Sequence, residues 1–285
     1  MASTASFPVS FEVYPPRTAD LMGPLHDSIR ALDSVAPDFI SVTYGAGGSS
    51  TRSSLEVLRF IRDHTSATPL AHLTCVGTTR AEATSLIGEF VAEGITHFLA
   101  LRGDLPEGQS EHHGDLAHAS HLVEVMHSLR EEADHLERIA VAAFPTGHPE
   151  SADAADDIRA LLAKQEAGAD FAITQLFFDV EHYLDFVESA RNAGVTLPLL
   201  PGLMPITSMR RLTRVLELTH VPTPERMREE LESANSPQDA EARGIAWTAS
   251  MVRELRDAGA PGIHLYAFNQ HRQVLDVLRK AGVRP

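Results

Sequence analysis

One carboxylate in this sequence stands where carboxylates are rarely found. Glu12 lies inside the apolar run Val9–Val13, which has the pattern of a buried β-strand. Removing a carboxylate from water is costly, so a carboxyl group in this position favours its protonated form and can donate a proton near neutral pH. Alternatively, Glu12 forms an ion pair with an arginine such as Arg17 or Arg102. The first interpretation predicts a catalytic acid, and the second predicts a structural carboxylate.

Polar side chains recur at the ends of the other apolar runs. Parallel strands bring their C-terminal ends to one edge of a sheet, so these side chains are expected to face a common ligand. Taken alone, Asp104 could be only a turn residue, and Gln175 could only hydrogen-bond among its neighbours. The candidates at strand ends are Thr43, Tyr44, His72, Arg102, Asp104, His148, Gln175 and Tyr266.

Eight short β-rich runs alternate with amphipathic segments, in which apolar residues recur every three or four positions. A glycine follows several of the amphipathic segments, as at Gly94 and Gly168, which is typical of helix C-termini. The predicted strands are Val9–Val13, Phe39–Val42, Leu70–Thr74, Phe98–Leu101, Ile139–Phe144, Phe171–Thr174, Leu197–Leu200 and Gly262–Tyr266. The predicted helices include Leu21–Val35, Leu55–His64, Ala81–Glu93, Leu116–Ala133, Ala154–Ala167, Val180–Ala193, Met209–Leu218, Ile245–Ala258 and Val274–Ala281.

This alternation in a chain of 285 residues predicts an α/β protein with a (β/α)8, or TIM, barrel, a fold that typically takes about 250 residues. A doubly wound open sheet is the alternative, but the segment 45–50, GAGGSS, lacks the third glycine of the dinucleotide-binding fingerprint. The polar, acidic stretch 222–243 is longer than a connection requires, so an extra helical insertion is expected between strands seven and eight. No shift in composition marks a boundary, so residues 1–285 are expected to form one domain.

Charge and composition limit the partners. A net charge of −15 would repel nucleic acid and anionic membranes. The single cysteine, Cys75, excludes an intramolecular disulfide, and neither a leader pattern nor an apolar stretch of membrane-spanning length is present. His118 and His121 could share a helix face, but no third ligand follows, so no metal site is predicted. A cytoplasmic protein that acts on small molecules is expected.

Several segments, taken in order, resemble the motifs of the methylenetetrahydrofolate reductase family. They extend from residue 10 to about residue 270, and such blocks in the same order are far more specific than any one of them. The chain is similar to the catalytic barrel of bacterial members. The segments are SFEVYPPRT, SVTYGAGGS, HLTC, ALRGDLP, AAFPTGHPE, ITQLFFD, PGLMP and GIHLYAFN.

The resemblance implies a barrel enzyme that binds FAD, takes a hydride from NADH or NADPH and reduces 5,10-methylenetetrahydrofolate to 5-methyltetrahydrofolate for methionine biosynthesis. Folate and nicotinamide would use one face of the flavin in turn, which gives ping-pong kinetics. Glu12 resembles the acid that protonates the departing folate nitrogen, Asp104 the aspartate that stabilises the resulting cation, and Gln175 the glutamine that hydrogen-bonds both substrates. Bacterial relatives are often homo-oligomers, so a homo-oligomer is a further expectation.

The resemblance also assigns ligand contacts position by position. Arg102 and Lys164, one of only two lysines, would meet the flavin diphosphate or carbonyl groups, and Asp157 would accept a hydrogen bond from a hydroxyl. The implied flavin contacts are Thr43, Tyr44, Ala46, His72, Arg102, Gly103, Asp104, Ala119, Phe144, His148, Asp157 and Lys164. The implied substrate contacts are Glu12, Asp104, Gln175, Arg211, Tyr266 and Gln270.

Some positions depart from the commoner family pattern. Phe144 replaces a tyrosine and lacks a hydroxyl group, and one hydrogen bond is worth about 0.5–1.5 kcal/mol. His118 and Ala160 also replace residues that contact the flavin in the commoner pattern, so fewer flavin contacts are expected. On the substrate side, Arg211 replaces a glutamine and Gln270 replaces an arginine. FAD binding is expected, with weaker affinity as an alternative. Two other hypotheses stay open: direct hydride transfer from nicotinamide to the folate without a flavin, and a barrel that binds a pterin or flavin without turnover.

Overall fold

The computed structural model describes residues 7–43, 51–103, 114–133 and 135–284. Three predicted ligand contacts, Tyr44, Ala46 and Asp104, lie outside these ranges. The strands are β1 (Val9–Val13), β2 (Phe39–Val42), β3 (Thr68–Thr74), β4 (His97–Leu101), β5 (Arg138–Ala143), β6 (Phe171–Thr174), β7 (Leu199–Leu200), β8 (Gly202–Leu203) and β9 (Ile263–Tyr266). The helices are α1 (Met22–Asp33), α2 (Thr51–His64), α3 (Arg80–Ala92), α4 (Ala119–Ala133), α5 (Ala154–Glu166), α6 (Val180–Asn192), α7 (Met209–Thr219), α8 (Glu225–Glu232), α9 (Pro237–Asp257) and α10 (His271–Ala281).

The strands form one parallel sheet that curls into a nearly closed barrel surrounded by helices. Their order is β7-β6-β5-β4-β3-β2-β1-β9-β8. The two strands at the ends of this order follow each other in the chain, with β7 paired to β6 and β8 paired to β9. They are the two halves of one barrel strand, and the predicted (β/α)8 fold is confirmed.

The predicted seventh strand, Leu197–Leu200, is wrong in extent, because the chain divides it at Pro201. Proline has no N–H group to donate to a neighbouring strand. The Gly202 N–H donates instead to the Thr174 side-chain hydroxyl at 2.9 Å, and the His264 N–H donates to the Pro201 carbonyl oxygen at 2.9 Å. A Cβ atom on Gly202 would lie 2.2 Å from the Thr174 carbonyl oxygen, so glycine alone fits the restart of the strand.

The helical insertion between the last two barrel strands is also confirmed. It consists of α8 and an N-terminal extension of α9, which begins at Pro237 rather than at the predicted Ile245. The Ser236 hydroxyl accepts a hydrogen bond from the Asp239 N–H at 3.1 Å, and proline follows at the first helical position. These capping signals precede the apolar periodicity, which is why the periodicity alone placed the start of the helix too late.

Two apolar layers hold the barrel. One lies between the strands and the surrounding helices, and the other fills the barrel interior. The interior layer restricts the polar groups to the C-terminal ends of the strands, and its buried members are Phe39, Leu70, Leu99, Ala140, Phe171 and Ile173. In the ranges that the structure describes, no helix combines the length and apolar character needed to cross a membrane.

Candidate active site

The Glu12 carboxylate lies between two imidazoles. Its Oε2 atom is 3.4 Å from His72 Nε2 and 3.9 Å from His264 Nε2. The His72 and His264 side chains are 7% and 1% exposed, whereas the Glu12 side chain is 18% exposed. The carboxylate is therefore the part of this cluster that a ligand can reach. Within the described residues its ion-pair partners are histidines rather than an arginine.

Strand alternation explains why these groups meet. Side chains two residues apart on a strand point to the same face, as Ser10 and Glu12 do on β1 and His264 and Tyr266 do on β9. The register places Ser10 beside His264 and Glu12 beside Tyr266. The Ser10 hydroxyl lies 2.9 Å from His264 Nδ1. We call these four residues, Ser10, Glu12, His264 and Tyr266, the acid wall of the barrel mouth.

Burial sets the protonation of the neighbours of Glu12. It lowers the pKa of His72 below its ordinary value, although the Glu12 carboxylate opposes this effect. Burial also raises the pKa of Tyr266 well above its ordinary value, and the Glu12 charge adds to the shift. The Tyr266 phenol therefore stays protonated and donates a 2.7 Å hydrogen bond to the Thr174 carbonyl oxygen. His72 and Tyr266 are therefore both neutral near pH 7.

Oppositely charged side chains lie away from Glu12 in the strand order, after β4 and β5 and on α5. Arg102 makes two contacts with the Glu150 carboxylate, of which the Nη2 to Oε1 distance is 2.7 Å. The Lys164 ammonium donates to the Ala142 carbonyl oxygen at 2.8 Å. We call this second group the cation wall; it consists of Arg102, His148, Glu150, Asp157 and Lys164.

Lys164 is the most perturbed member of the cation wall. Burial lowers its pKa to about 8, the Asp157 carboxylate opposes the shift, and the Arg102 charge adds to it. The ammonium nitrogen lies 5.9 Å from the centre of the Phe144 ring. A basic residue that faces inwards in this way is a candidate to bind an anion.

Asp157 and His148 stabilise the loop after β5. The buried Asp157 carboxylate accepts hydrogen bonds from the His148 N–H at 3.2 Å and from the Ser151 hydroxyl at 2.8 Å. The His148 ring packs edge-on against Phe144, with 4.7 Å between ring centres. Burial lowers the pKa of His148, and Arg102 adds to the shift. This loop therefore presents a neutral imidazole beside the two cationic side chains.

The other flavin contacts that the structure describes lie after β2, on β3, after β4 and at the start of α4. The Thr43 hydroxyl at the end of β2 is buried and has no hydrogen-bond partner in the described part of the chain, and the same holds for His72 Nε2. Gly103 follows β4 with a φ of +87°, and a Cβ atom there would lie 2.9 Å from a Val76 methyl carbon. Ala119 is buried at the first residue of α4.

The predicted substrate contacts are placed more widely. The Gln175 side-chain oxygen accepts the Leu176 N–H at 2.9 Å, and its amide nitrogen has no partner among the described residues. The Arg211 guanidinium binds the Gln273 side-chain oxygen at 2.5 Å, and burial lowers the pKa of Arg211. Gln270 is exposed in the turn before α10. Neither Arg211 nor Gln270 forms a hydrogen bond or ion pair with Glu12.

Sequence reasoning missed Ser10, His264 and Glu150. The signal for the first two was available: Ser10 and His264 lie two residues before Glu12 and Tyr266 on strands that were both predicted. Glu150 gave no such signal, because its contact with Arg102 joins two loops.

Burial raises the pKa of Cys75 to about 11, so this thiol is inert. Over the described ranges, no three His, Cys, Asp or Glu side chains are arranged to hold a metal ion.

A parallel (β/α)8 barrel with ionisable groups at the C-terminal ends of its strands has the architecture of a barrel enzyme. The sequence profile of the family described as methylenetetrahydrofolate reductase matches residues 1–282. The 5,10-methylenetetrahydrofolate reductase of Escherichia coli K12 is 36% identical over 280 residues, which are 97% of this chain and 91% of that protein. A rice protein named probable methylenetetrahydrofolate reductase (NADH) is 30% identical over 96% of this chain and 48% of its own length. The chain belongs to the methylenetetrahydrofolate reductase family.

Solved structures support the fold. A Clostridium thermocellum protein, described as binding two copies of 5-methyl-5,6,7,8-tetrahydrofolic acid, aligns with a TM-score of 0.64 over 97% of this chain and 94% of that one. A Xanthomonas albilineans dihydropteroate synthase aligns with a TM-score of 0.52 over 99% of this chain and 94% of its own. Their sequence identities are 14% and 13%, so these likenesses concern the barrel alone.

Proposed function

We propose that this chain reduces 5,10-methylenetetrahydrofolate to 5-methyltetrahydrofolate, with NADH or NADPH as the hydride donor and FAD as a bound carrier. The observation that carries the proposal is Glu12, a carboxyl group at the barrel mouth set between buried imidazoles and partly open to a ligand. The family and the curated relatives are reductases of this folate, and relatives carry names with NADH and with NADPH. We leave the choice between the two nucleotides open.

Glu12 supplies the proton that the reaction requires. Methylenetetrahydrofolate becomes a hydride acceptor when its five-membered ring opens to a 5-iminium cation. Opening leaves an electron pair on the departing nitrogen, and that nitrogen needs a proton from a positioned acid. Within the described residues, the Glu12 carboxylate accepts no hydrogen bond, and its side chain is 18% exposed, so it is available to face the folate.

Other residues of the mouth bind and orient the pterin. Gln175 offers an amide N–H group that has no partner in the described part of the chain, next to an oxygen held by the Leu176 N–H. It would donate a hydrogen bond to folate or nicotinamide in turn. Asp104 would pair with the pterin and stabilise the cation through its negative charge. Tyr266, fixed by its bond to the Thr174 carbonyl oxygen, would limit the depth to which the ring enters.

The described residues also suit a flavin dinucleotide. The buried Thr43 hydroxyl and His72 Nε2 are polar atoms without a hydrogen-bond partner in the described ranges, and a flavin ring rich in carbonyl and imino groups would satisfy them. Arg102 and Lys164 lie within electrostatic reach of each other, which suits a diphosphate. When bound, FAD would accept the nicotinamide hydride and pass it to the folate.

The cation wall must rearrange to bind a diphosphate. Arg102 would exchange the Glu150 carboxylate, whose side chain is 56% exposed, for a phosphate group. Lys164 would be held in its charged form by the same anion, because a nearby negative charge raises the pKa that burial lowers. Asp157 would keep the loop after β5 in place through its bonds to His148 and Ser151.

A second candidate is direct hydride transfer from nicotinamide to the folate without a flavin. The observation that favours it is the internal pairing of the cation wall, where Arg102, Lys164 and Asp157 all have protein partners. Phe144 also lacks the hydroxyl of the commoner family pattern. In this candidate Glu12 has the same role, so the two differ only in the carrier.

An absorbance spectrum of the purified protein, with and without added FAD, distinguishes the candidates. Under anaerobic conditions, NADH should bleach the flavin bands and methylenetetrahydrofolate should restore them. A colourless protein that oxidises NADH only when the folate is present would favour the flavin-free candidate. Binding of flavin or folate without turnover would instead favour a carrier.

The wider role follows from the reaction. The product is a methyl donor, so the protein would supply methyl groups for methionine synthesis. We propose that the chain works in the cytoplasm as one catalytic domain, without nucleic acid or membrane partners, and that it forms a homo-oligomer. Light scattering of the purified protein measures the last of these directly.

A further inference from the structure

The backbone pairing of β1 with β9 is interrupted at the rim of the barrel. The Ala267 N–H donates to the Glu12 carbonyl oxygen at 3.1 Å. The next hydrogen bond of a parallel pair would join the Tyr14 N–H to the Ala267 carbonyl oxygen. That oxygen instead accepts the Gln270 N–H at 2.8 Å, because the chain turns towards α10. The Tyr14 backbone therefore needs a different partner on its β9 side.

The Asn269 side chain is that partner. Its Oδ1 atom accepts a hydrogen bond from the Tyr14 N–H at 3.0 Å, and its Nδ2 atom donates to the Tyr14 carbonyl oxygen at 2.9 Å. A carboxamide offers an acceptor and a donor, as a peptide unit does, so one side chain satisfies both polar groups of the Tyr14 backbone. The Asn269 carbonyl oxygen accepts a hydrogen bond from the Ser28 hydroxyl at 3.2 Å, which joins the turn to α1.

The turn that carries Asn269 has an unusual backbone. Phe268 and Asn269 both lie in the left-handed region, with φ angles of +48° and +58°. Asparagine tolerates this region, whereas a bulky residue such as phenylalanine adopts it at a cost in energy. Strained residues persist where the surrounding contacts hold them, and they cluster at functional sites. The hydrogen bonds between Asn269 and Tyr14 are contacts that hold Phe268 in this conformation.

The turn brings two aromatic rings together at the rim. The Tyr14 and Phe268 rings meet edge to face, with 6.0 Å between their centres and 70° between their planes. Their exposed fractions are 39% and 37%. Rings that are already held in place offer apolar area to a ligand at little further cost in entropy. We call the pair of Tyr14 and Phe268 the rim ledge.

The rim ledge lies next to the acid of the proposed reaction. Tyr14 follows Glu12 by two residues, and a strand advances about 3.3 Å per residue, so Tyr14 lies at most about 7 Å further along the chain. In methylenetetrahydrofolate, the nitrogen that departs when the five-membered ring opens also carries the aminobenzoyl ring. A folate with its pterin in the mouth and its departing nitrogen at Glu12 therefore brings that ring to the rim.

We propose that Asn269 is a positioning residue for the folate: it closes the rim between β1 and β9 and so holds Tyr14 and Phe268 as a ledge on which the aminobenzoyl ring packs. This inference rests on the proposed function, which supplies the folate. Tyr14 and Phe268 contact the ring, whereas Asn269 acts through them.

Substitutions in the turn separate the role of the side chain from that of the backbone. Asn269→Gly removes both hydrogen bonds to Tyr14 but keeps the left-handed conformation, which glycine adopts readily. Asn269→Asp keeps an acceptor for the Tyr14 N–H and loses the donor to the Tyr14 carbonyl oxygen. Phe268→Gly removes one ring of the ledge and relieves the strain. Leu218→Ala, an exposed apolar change near the C-terminal end of α7, is the control.

Isothermal titration calorimetry with two ligands tests the proposal. One ligand is 5-methyltetrahydrofolate, and the other is a 5-methyltetrahydropterin that lacks the aminobenzoyl group. Asn269→Gly and Phe268→Gly should weaken binding of the folate by about 3- to 10-fold, as expected for the loss of one aromatic contact, and should leave binding of the pterin unchanged. Asn269→Asp should have a smaller effect of the same kind, and Leu218→Ala should bind both ligands as the wild type does.

The contrast between the two ligands distinguishes the ledge from a merely structural role, because a distorted mouth would weaken both. Equal weakening of both ligands, or an unchanged affinity for the folate in Asn269→Gly and Phe268→Gly, would overturn the proposal and leave the proposed function intact. A wild-type protein that binds neither ligand and does not reduce methylenetetrahydrofolate would overturn the proposed function as well.

Discussion

The acid wall on β1 and β9 and the cation wall on β4, β5 and α5 differ in where their polar atoms find partners. In the acid wall, His264 Nε2 is buried without a hydrogen-bond partner in the described ranges, and Glu12 approaches imidazoles at 3.4 and 3.9 Å. In the cation wall, Arg102 is paired with Glu150 and Lys164 with the Ala142 carbonyl oxygen.

The two walls should therefore bind a ligand in different ways, one with polar atoms that have no protein partner and the other with charges that already have one. Unsatisfied polar atoms are ready to act on a ligand, and the cost of leaving them unpaired is borne by the rest of the fold. Paired charges must first give up a protein partner, so the affinity of the cation wall for an anion is reduced by the interaction that is lost. We infer that the acid wall is preorganised for chemistry and that the cation wall adjusts on binding.

Removal of the acid should have the largest effect. Glu12→Gln keeps the shape of the side chain but cannot donate an acid proton, so folate-dependent oxidation of NADH should fall by about 100- to 10,000-fold. Steady-state assays at saturating substrates measure this loss. Glu225→Gln, an exposed change on α8, is the control and should keep wild-type activity. Retention of more than a tenth of the activity by Glu12→Gln would mean that another group supplies the proton.

Crowding the acid wall should destabilise the barrel. A Cβ atom on Gly202 would lie 2.2 Å from the Thr174 carbonyl oxygen and 2.9 Å from the Tyr266 hydroxyl. Gly202→Ala should therefore lower the free energy of unfolding by about 3 kcal/mol or more. Gly88→Ala on α3 meets no atom within 4 Å and should be neutral or stabilising. Urea denaturation of both variants checks the contrast, and equal stabilities would contradict the close packing at the strand break.

The buried ammonium of the cation wall should make stability depend on pH. Burial lowers the pKa of Lys164 from 10.5 in the unfolded chain to about 8, so between these values the unfolded chain binds more protons than the folded one. Its contribution to stability therefore rises as pH increases from 8 to 10.5. Relative to Lys164→Met, the wild type should gain stability over this range. Chemical denaturation at several pH values measures the difference, with the exposed Lys280→Met as control; a constant difference would contradict the burial of Lys164.

The smallest effect is expected from the exposed partner of Arg102. Glu150→Gln weakens the pair that competes with a bound phosphate, and exposed pairs are worth about 0–1 kcal/mol. The dissociation constant for FAD should therefore fall by about fivefold at most. Fluorescence titration with FAD measures it, and Arg102→Met should weaken binding. Weaker binding in Glu150→Gln would show that this ion pair holds Arg102 in place for the ligand.

The sequence was sufficient for the barrel and for the position of Glu12 at its mouth, because both depend on local patterns. Apolar runs such as Phe39–Val42 and Phe171–Thr174 coincide with the observed strands, and alternation along β1 turns Glu12 into the mouth. The division at Pro201 escaped the pattern, because its replacement hydrogen bond comes from a side chain on another strand.

The contacts within the cation wall were less predictable, because they too join distant parts of the chain. Lys164 was singled out by its rarity, but its bond to the Ala142 carbonyl oxygen and the pairing of Arg102 with Glu150 join segments far apart in the chain. Periodicity carries no information on such contacts. The contact between Glu12 and His264 was only partly predictable. The strand β9 is predicted from the sequence, but its position beside β1 follows only once the barrel closes.

The most direct test of the central claim follows the two half-reactions separately by anaerobic stopped-flow absorbance, in wild-type protein and in Glu12→Gln, both loaded with FAD. Glu12 as the acid for the folate predicts that NADH bleaches both proteins at similar rates, while methylenetetrahydrofolate restores the flavin bands of the wild type alone. Restoration at the wild-type rate in Glu12→Gln, or loss of both half-reactions together, would contradict the account.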